Sequence, residues 1–234
     1  MSINNKLSIL RFLPQTIYFN FRYLPFKIAV KLPILLYKPK FISLRGTVKI
    51  EPVDGKISFG MIRLGFRRCG IYPNNGLSWE NHGGTCIFNG PCGIGNDSYL
   101  SFGKGTEVHF GYDFLSNAGL KLVSTRGISF GKSTRLGWGC LVMDTNFHPL
   151  YDIEKQKFKK ASGRINIGDY NWFGTECKIM HSVETPERCI FGMGTIVTRG
   201  CTMKSYCVMG GSPVKVLSEN VMRIIGQDQE GDFS

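Results

Sequence analysis

Apolar side chains recur every six residues between Ile165 and Ser212. This stretch divides without a gap into eight blocks, INIGDY, NWFGTE, CKIMHS, VETPER, CIFGMG, TIVTRG, CTMKSY and CVMGGS. The third residue is bulky and apolar in seven of the eight blocks, and the first is usually small or β-branched. A period of six fits neither an α-helix nor an alternating strand. It is typical of a parallel β-helix, in which each block forms one short strand and one corner.

The repeat is less regular upstream and contains one clear interruption. Irregular blocks begin at about Thr47, and regular blocks reappear at Ile128. After Thr145 the pattern stops for residues 146–164, which are polar and basic and offer no residue suited to the interior. We therefore predict a β-helix domain over residues 47–217, from which a loop at about 146–164 is extruded.

The two ends of the chain have other patterns. In residues 1–46, aromatic and aliphatic residues are interleaved with single bases, and prolines interrupt the apolar stretches. This pattern predicts short amphipathic helices that end at the prolines. Residues 218–234 are predicted to form a short helix, capped by Ser218, and then a disordered tail.

The net charge of +12 is concentrated near the N-terminus. Residues 1–50 contain nine Lys or Arg and no acidic residue, whereas the remaining residues carry 20 bases and 17 acids. Two interpretations of the basic segment stay open: an element lying on an anionic membrane surface, or a helical cap on the open end of the β-helix. Nucleic-acid binding is not predicted, because the segment is rich in apolar residues and lacks a recognisable nucleic-acid motif.

The cysteines and the apolar runs indicate in which cellular compartment the protein is expected. No run approaches the ~20 apolar residues of a membrane span, and no cleavable signal is apparent. None of the eight cysteines forms a CxxC pair, which argues against a zinc ribbon. Several cysteines are spaced by multiples of six, namely Cys86 and Cys92, and then Cys177, Cys189, Cys201 and Cys207. We predict small, buried, reduced residues in a cytoplasmic protein, peripheral at the inner membrane face if the basic segment binds lipid.

One of the four histidines stands where the repeat fails. His148 lies in MDTNFHPL, at the start of the predicted loop, with Pro149 behind it. A neutral imidazole at such a position can take a proton from a hydroxyl group near pH 7. The alternative is a histidine that caps a turn. The other three histidines are interpreted as surface or corner residues, namely His82, His109 and His181.

Three runs in the C-terminal half resemble the hexapeptide-repeat acyltransferases. They are INIGDYNWFGTECKIM, CIFGMGTIVTRG and CVMGGSPVKVL, whose usual forms in that family are I-x-IGD-x-VWIG-x-x-V-x-I, GAGSVVTK and AGNPAKVI. The upstream run ISFGKSTRLGWGCLVMDTNFHP is similar to the branch of the galactoside and maltose O-acetyltransferases, and the chain also resembles polysaccharide O-acetyltransferases. The resemblance covers residues 110–217 well and 47–109 loosely. In that branch the tripeptide GHP carries the catalytic histidine, and FHP places His148 at that position.

The resemblance implies an all-β solenoid, namely a left-handed parallel β-helix of hexapeptide repeats with three blocks per coil. In this chain it would carry an N-terminal helical segment and a short C-terminal helix. The handedness opposes the general preference for right-handed crossovers, so that only the resemblance supports it. A homotrimer with active sites between subunits is also implied, with acetyl-coenzyme A lying along the coils as acyl donor. No metal and no covalent enzyme intermediate are expected.

The resemblance also implies positions for the cofactor. Thr175 would lie beside the thioester, and Lys215 near the ribose phosphate. Met193, Thr198 and Arg199 would lie along the pantetheine and the pyrophosphate. The two cations suit phosphate binding, although each would otherwise be a solvated charge on an exposed face.

Several departures from the family pattern concern the acceptor pocket, a corner and the last coil. Phe147 replaces the glycine of GHP, and we expect this bulky residue to reshape the acceptor pocket. Pro186 stands in a corner, and two extra residues separate GTIVTR from GGSP. Asn117 and Asp144 are candidates for binding the acceptor. Asp144, four residues before the histidine, would either orient the imidazole or serve as a turn residue.

These features predict an acetyl-coenzyme A-dependent O-acetyltransferase that acts on a sugar hydroxyl, in the assembly of a surface polysaccharide. His148 would be the general base, and a backbone N–H near Thr175 would bind the oxyanion. Two other classes share the scaffold. A zinc carbonic anhydrase needs three convergent histidines and an open position for water, and a non-catalytic trimer would use the repeats for assembly alone.

Overall fold

Consecutive strands of the chain are distributed over three sheets in turn. The computed structural model describes residues 10–67, 70–200 and 202–226. Sheet 1 contains β1 (Ile34–Leu36), β4 (Ile62–Phe66), β7 (Cys92–Gly95), β10 (Phe114–Ser116), β13 (Arg135–Leu136), β18 (Trp172–Phe173), β21 (Ile190–Phe191), β23 (Cys207–Gly210) and β24 (Lys215–Glu219). Sheet 2 contains β2 (Pro39–Leu44), β5 (Leu77–Asn81), β8 (Ser98–Phe102), β11 (Lys121–Ser124), β14 (Leu141–Met143), β19 (Lys178–Met180) and β22 (Ile196–Val197). Sheet 3 contains β3 (Thr47–Ile50), β6 (Thr85–Phe88), β9 (Glu107–Phe110), β12 (Ile128–Phe130), β17 (Ile165–Ile167) and β20 (Glu184–Thr185).

Apart from β24, the strands of these sheets pair in parallel with the strand of the same sheet in the next coil. Phe114 of β10 lies beside Cys92 of β7, and Leu136 of β13 lies beside Phe173 of β18. The chain therefore winds through the three sheets once per coil, which is the topology of a parallel β-helix. The predicted architecture, mostly β and built from parallel sheets, is confirmed.

Stacked aromatic rings form much of the interior. The rings of Phe88, Phe110 and Phe130 in sheet 3 are nearly parallel, with centroid distances of 5.3 and 5.6 Å. Phe173 and Phe191 in sheet 1 stack at 4.3 Å with an interplanar angle of 3°. Because the register repeats in every coil, the third residue of each block meets its equivalent in the next coil.

The corners between sheets are turned by the last residue of each block. In the C-terminal coils these residues adopt the left-handed backbone conformation at intervals of six, namely Tyr170, Glu176, Ser182, Arg188, Gly194, Gly200 and Tyr206. Glycine adopts this conformation freely, whereas other residues bear a strain of about 1–2 kcal/mol. Because a corner recurs every six residues, the repeating unit consists of a strand together with a corner.

A helix covers the first coil. The helices are α1 (Leu13–Tyr23) and α2 (Phe26–Ala29). The side-chain amide of Asn20 donates to the Ile34 carbonyl at 2.7 Å and accepts from the Ile34 N–H at 3.2 Å. The hydroxyl of Thr16 accepts from the N–H of Leu36 at 3.2 Å. These bonds satisfy backbone groups of edge strand β1, which would otherwise be open to pairing with another chain.

The predicted all-helical character of residues 1–46 is wrong for the second half of that segment. Strands β1 and β2 lie within it and form the first coil, so that the sheets begin at Ile34 rather than at Thr47. The run PILLY was assigned to a helix because a short apolar run fits a buried strand or a buried helix equally well. All three residues of β1 are buried.

The predicted C-terminal helix is also wrong. Strand β24 runs antiparallel to β23, with Lys215 opposite Gly210, and no helix follows it in the described residues up to Gly226. The strand covers the last edge of sheet 1. This pairing determines the conformation of the segment and overrides the helix that its local sequence predicts. Residues 227–234, which hold the rest of the predicted disordered tail, lie outside the described residues.

Candidate functional site

The interruption of the repeat is a hairpin that projects from the edge between sheets 2 and 3. It carries the antiparallel strands β15 (Tyr151–Asp152) and β16 (Lys157–Phe158). Its neck is closed by two backbone bonds: Asn146 N–H donates to the Ala161 carbonyl at 2.7 Å, and Gly163 N–H donates to the Asp144 carbonyl at 3.0 Å. The body of the β-helix is therefore continuous beneath the hairpin.

His148 lies just beyond this neck, and its side chain is exposed. Its N–H donates to the Asn146 carbonyl at 2.7 Å, which makes a tight turn around Phe147. Phe147 has a φ of +61° and donates its N–H to the Thr145 hydroxyl at 2.9 Å. The bulky residue thus takes the left-handed conformation that glycine adopts without strain. The imidazole is presented to solvent on a constrained turn.

A groove of about 590 Å³ lies on the outer face of sheet 2, next to this turn. Its lining includes Phe147, Tyr99, Lys121 and the carboxylates of Glu80 and Asp97. The hydrogen bond from His82 lowers the pKa of Glu80, and burial, with the charge of Asp97, raises the pKa of Tyr99. Glu80 is therefore ionised and Tyr99 is a neutral donor near pH 7. The groove combines an aromatic surface with a few polar groups, as small-molecule sites do.

Asp144 is fully buried and does not orient His148 by a hydrogen bond. Its carboxylate accepts from the Ser124 hydroxyl at 2.9 Å and from the Thr125 N–H and hydroxyl at 2.8 and 3.1 Å. The N–H groups of Arg126 and Gly127 donate to the same carboxylate, each at 2.8 Å. Asp144 therefore holds the corner of the preceding coil, as the turn-residue interpretation expects.

His181 contacts the neck, although its place in a regular block predicts a surface or corner residue rather than a site residue. The ring is 8% exposed, with Nε2 at 3.2 Å from the side-chain nitrogen of Asn146 and Nδ1 at 3.2 Å from the Ser182 hydroxyl. Burial lowers the pKa of His181, and the charges of Arg199 and Lys160 lower it further. The neutral ring can accept a hydrogen bond from the Asn146 amide, so that it ties the neck to the next coil. The pairing of β14 with β19, which places residue 181 beside residue 144, is the feature from which this contact could have been predicted.

Three of the predicted site residues lie in corners along the opposite edge of sheet 2: Thr175, Asn117 two coils before it, and Met193 one coil after it. Successive backbones approach closely there. A Cβ atom added at Gly174 would lie only 2.8 Å from the nitrogen of Met193. Within the described part of the chain, the N–H groups of Thr175 and Met193 have no protein acceptor. This edge therefore presents free backbone donors, and the Met193 side chain beside them is 78% exposed.

The remaining predicted cofactor residues are distributed elsewhere. Thr198 and Arg199 follow β22 at the edge between sheets 2 and 3, and Lys215 lies exposed on β24 of sheet 1. A three-residue strand of sheet 2 spans about 10 Å and separates the two edges. One chain therefore does not bring His148 and Thr175 together. Among the described residues, no three His, Cys, Asp or Glu side chains converge as metal ligands would.

Comparison with known proteins shows partial sequence similarity to O-acetyltransferases. The chain is 27% identical over 120 residues to polysialic acid O-acetyltransferase of Escherichia coli O1:K1 / APEC, covering 51% of this chain and 38% of that protein. It is 25% identical over 118 residues to galactoside O-acetyltransferase of Escherichia coli strain K12, covering 50% and 57%. The corresponding enzyme of Lactococcus lactis is 27% identical over 108 residues, covering 46% and 51%. The chain thus spans about half the length of the relatives it matches, and no family model matches it.

Structural comparison supports the fold. The polySia-specific acetyltransferase NeuO superposes with a TM-score of 0.54 at 18% sequence identity, covering 82% of this chain and 92% of that one. At this identity the match concerns the fold alone.

Proposed function

Since the chain is related to the hexapeptide-repeat acetyltransferases, we propose that it transfers an acetyl group from acetyl-coenzyme A to a hydroxyl group of a sugar. The observation that carries this proposal is the placement of His148. It stands in the FHP motif where the hairpin interrupts the C-terminal repeat, on a constrained turn beside the groove of sheet 2. A scaffold that served assembly alone would need neither the exposed imidazole nor the groove.

The proposed reaction is a direct transfer. The neutral imidazole of His148 takes the proton of the sugar hydroxyl, whose oxygen attacks the thioester carbonyl carbon. The oxyanion that forms is bound by the free N–H of Thr175. The carbon–sulfur bond then breaks, and the imidazolium returns its proton to the departing thiolate. Holding both substrates in one cleft supplies the orientation, so that no acyl-enzyme is needed.

The cofactor would lie against the edge between sheets 1 and 2. The unpaired N–H groups of Thr175 and Met193 are suited to the amide carbonyls of the pantetheine arm. Thr198 and Arg199 lie at the other edge of sheet 2, so that a neighbouring copy would present them to the pyrophosphate, and Lys215 would contact the ribose phosphate. Both cations are exposed and suited to phosphate oxygens.

A homotrimer of left-handed β-helices would complete the site. The base and the oxyanion donor lie at opposite edges of sheet 2 in one chain, so that the base of one copy would meet the donor of its neighbour. The hairpin fits such a contact, because Tyr151, Ile153 and Phe158 on it are 52%, 84% and 68% exposed. Exposed apolar groups of this kind are typical of subunit interfaces.

The outer face of the helical cap is suited to an anionic membrane surface. While the inner face of α1 covers β1, Tyr18, Phe21 and Phe26 are 54%, 45% and 71% exposed on the outside. Lys27 and Lys31 are exposed beside them, and none of the first 50 residues is acidic. Aromatic groups with bases can enter the headgroup region, each base contributing about 1 kcal/mol. The cap and membrane interpretations are therefore compatible. The chain would then be a peripheral enzyme at the cytoplasmic face of the membrane and would act in surface polysaccharide assembly. No helix among the described residues is long and apolar enough to cross a membrane.

Acetyl transfer is tested by incubating the purified protein with acetyl-coenzyme A and a panel of oligosaccharides, with release of the free thiol as the readout. Mass spectrometry of surface glycans from cells with and without the chain then identifies the acetylated product. Absence of thiol release and of any lost acetyl group would reject the proposed reaction.

The membrane contact is tested by sedimentation with phosphatidylcholine vesicles that contain or lack phosphatidylglycerol. The full-length protein should sediment with the anionic vesicles at low salt and be partly released by salt. The variant F21S/F26S should bind more weakly, since it removes exposed rings without touching the bonds to β1. Equal behaviour on both vesicle types would reject the membrane contact.

A further inference from the structure

A second cavity, of about 350 Å³, lies at the base of the hairpin, apart from the groove of sheet 2. Its lining consists of Arg126, Lys160, Ser162, Gly163 and Arg164. Three of these five residues are cations and none is an acid. The volume is at the lower end of the range of about 300–1,000 Å³ that is usual for small-molecule sites.

Two of the three cations are held in place. The Nε of Arg126 donates to the Ser162 hydroxyl at 2.9 Å, across the neck of the hairpin. The guanidinium of Arg164 packs beside Gly127, where a Cβ atom would lie 3.4 Å from the guanidinium carbon. In the described part of the chain, no carboxylate lies within 4.0 Å of the charged nitrogens of Arg126, Lys160 or Arg164. The positive charge of the cavity is therefore not neutralised by an ion pair.

The charged groups around the cavity are mostly positive. Asp144 is the acidic residue beneath it, but its carboxylate is buried and already accepts hydrogen bonds from the corner at residues 124–127. Arg199 adds a further cation on the next coil. Burial is the main cause of the lowered pKa of His181, and the charges of Arg199 and Lys160 lower it further.

The cavity and the proposed base share one structural support. Ala161, between the cavity residues Lys160 and Ser162, accepts the N–H of Asn146 through its carbonyl. The carbonyl of Asn146 in turn accepts the N–H of His148. A group bound in the cavity would therefore be fixed relative to the turn that presents the imidazole.

We propose that this cavity binds a carboxylate of the acceptor, and that the acceptor is an acidic glycan. The inference rests on the proposed acetyl transfer to a sugar and specifies the class of that sugar. The planar guanidinium forks of Arg126 and Arg164 match the two oxygens of a carboxylate. One ring of the glycan would be held at the base of the hairpin while a hydroxyl group of the chain reaches His148.

The test measures binding of oligogalacturonate, which carries one carboxylate per ring, to the full-length protein without acetyl-coenzyme A. Its methyl ester, of the same length and neutral, is the matched ligand. The wild-type protein should bind the acid and not the ester, with affinity falling as salt rises. The variant R126Q/R164Q should lose at least about tenfold in affinity for the acid. K160Q alone should lose less, which provides a milder variant if the double substitution disturbs folding.

A matched control removes two bases from the cap. K27Q/K31Q makes the same change in net charge and should bind oligogalacturonate as the wild type does. Equal binding of acid and ester, or an equal loss in K27Q/K31Q, would overturn the proposal. A drop in coenzyme A affinity in R126Q/R164Q, without a loss for oligogalacturonate, would assign the cavity to the cofactor instead. Since binding needs no acetyl transfer, its outcome is separate from that of the proposed reaction.

Discussion

At Gly174, on the edge between sheets 1 and 2, successive coils meet through their backbones, whereas at the hairpin, on the edge between sheets 2 and 3, they meet through side chains. The first edge is regular and requires glycine where one coil touches the next, as at Gly174. The second is interrupted by the hairpin, and the buried Asp144 carboxylate and the His181 ring fill the gap. The first edge leaves N–H groups free, and the second presents the exposed imidazole of His148. In the proposed reaction the regular edge would supply the oxyanion donor, and the interrupted edge would supply the proton acceptor.

The largest effect is expected at the interrupted edge, for His148→Ala. This variant should stay folded and lose about 10²–10⁴-fold in turnover, because it lacks the group that takes the hydroxyl proton. Acetyl transfer and circular dichroism of the purified variant give the two readouts. The matched control is His109→Ala, which removes a partly exposed ring from sheet 3 and should leave turnover unchanged. Wild-type turnover in His148→Ala would exclude this residue from the reaction.

Asp144→Ala tests whether side chains hold the second edge together. The substitution leaves the hydroxyl and N–H donors of residues 124–127 without their acceptor. We expect a loss of roughly 2–4 kcal/mol in the free energy of unfolding, measured by denaturant titration. Asp54→Ala is the control, since that carboxylate is exposed and bonds the N–H of Lys56 alone in the described residues. A loss no larger than in the control would mean that the corner holds without the carboxylate.

Gly174→Ala tests the backbone contact at the first edge. The added Cβ atom would lie 2.8 Å from the nitrogen of Met193 and 3.0 Å from the carbonyl oxygen of Phe191. We expect a loss of about 1–3 kcal/mol in the free energy of unfolding, because backbone has to move. Gly192→Ala, one coil further, meets its nearest atom at 3.6 Å and should cost little. Equal stability of the two variants would contradict the difference between these contacts.

The charges assigned to the cofactor should have a smaller effect, confined to binding. Arg199→Ala and Lys215→Ala should each weaken coenzyme A binding by about 3–10-fold at low ionic strength, since each removes one phosphate contact. Turnover at saturating cofactor should fall much less. Calorimetry measures the affinity, with Lys104→Ala as a control base elsewhere on the surface. Unchanged affinity in both variants would show that the phosphates lie elsewhere.

The smallest effect is a dependence on pH at the neck. The pKa of His181 is lowered in the folded protein, so that the unfolded chain binds more protons below the ordinary value of about 6.5. The stability that the neutral ring contributes is therefore complete above about pH 6.5 and lost as pH falls through the lowered pKa. Between about pH 7.5 and about pH 5, the melting temperature of the wild type should fall more than that of His181→Gln. Parallel curves for the two proteins would remove His181 as the cause.

The coils could be predicted well because a buried third residue and a corner recur together every six residues. The third residues of the blocks are apolar since each faces the interior, and no other regular element has that spacing. The first coil was missed because PILLY lacks a corner signal, and the last strand because its pairing partner determines its conformation. Local periodicity does not report which element covers an open sheet edge.

The break in the repeat indicated both the extruded loop and a candidate base. His148 was proposed because it stands at that break and in the FHP motif, whereas the cofactor positions came from the family motifs. The role of His181 depends on the register between coils, which places it against Asn146. The separation of Thr175 from His148 also depends on how corners align in space. Residue types and the order of motifs can be read from a single sequence. The side of the sheet on which each corner lies cannot.

The closed neck separates the hairpin from the stacking of the coils. The two backbone bonds at the neck, from Asn146 to Ala161 and from Gly163 to Asp144, complete the rung before the hairpin begins. Changes in length or sequence beyond the neck therefore need not alter the stacking of the coils, and loop closure adds little cost as a loop grows. If the proposed function holds, the hairpin is an exchangeable module, in which new sugar preferences would arise by insertion and deletion while the acetyl-donor side of the scaffold stays unchanged.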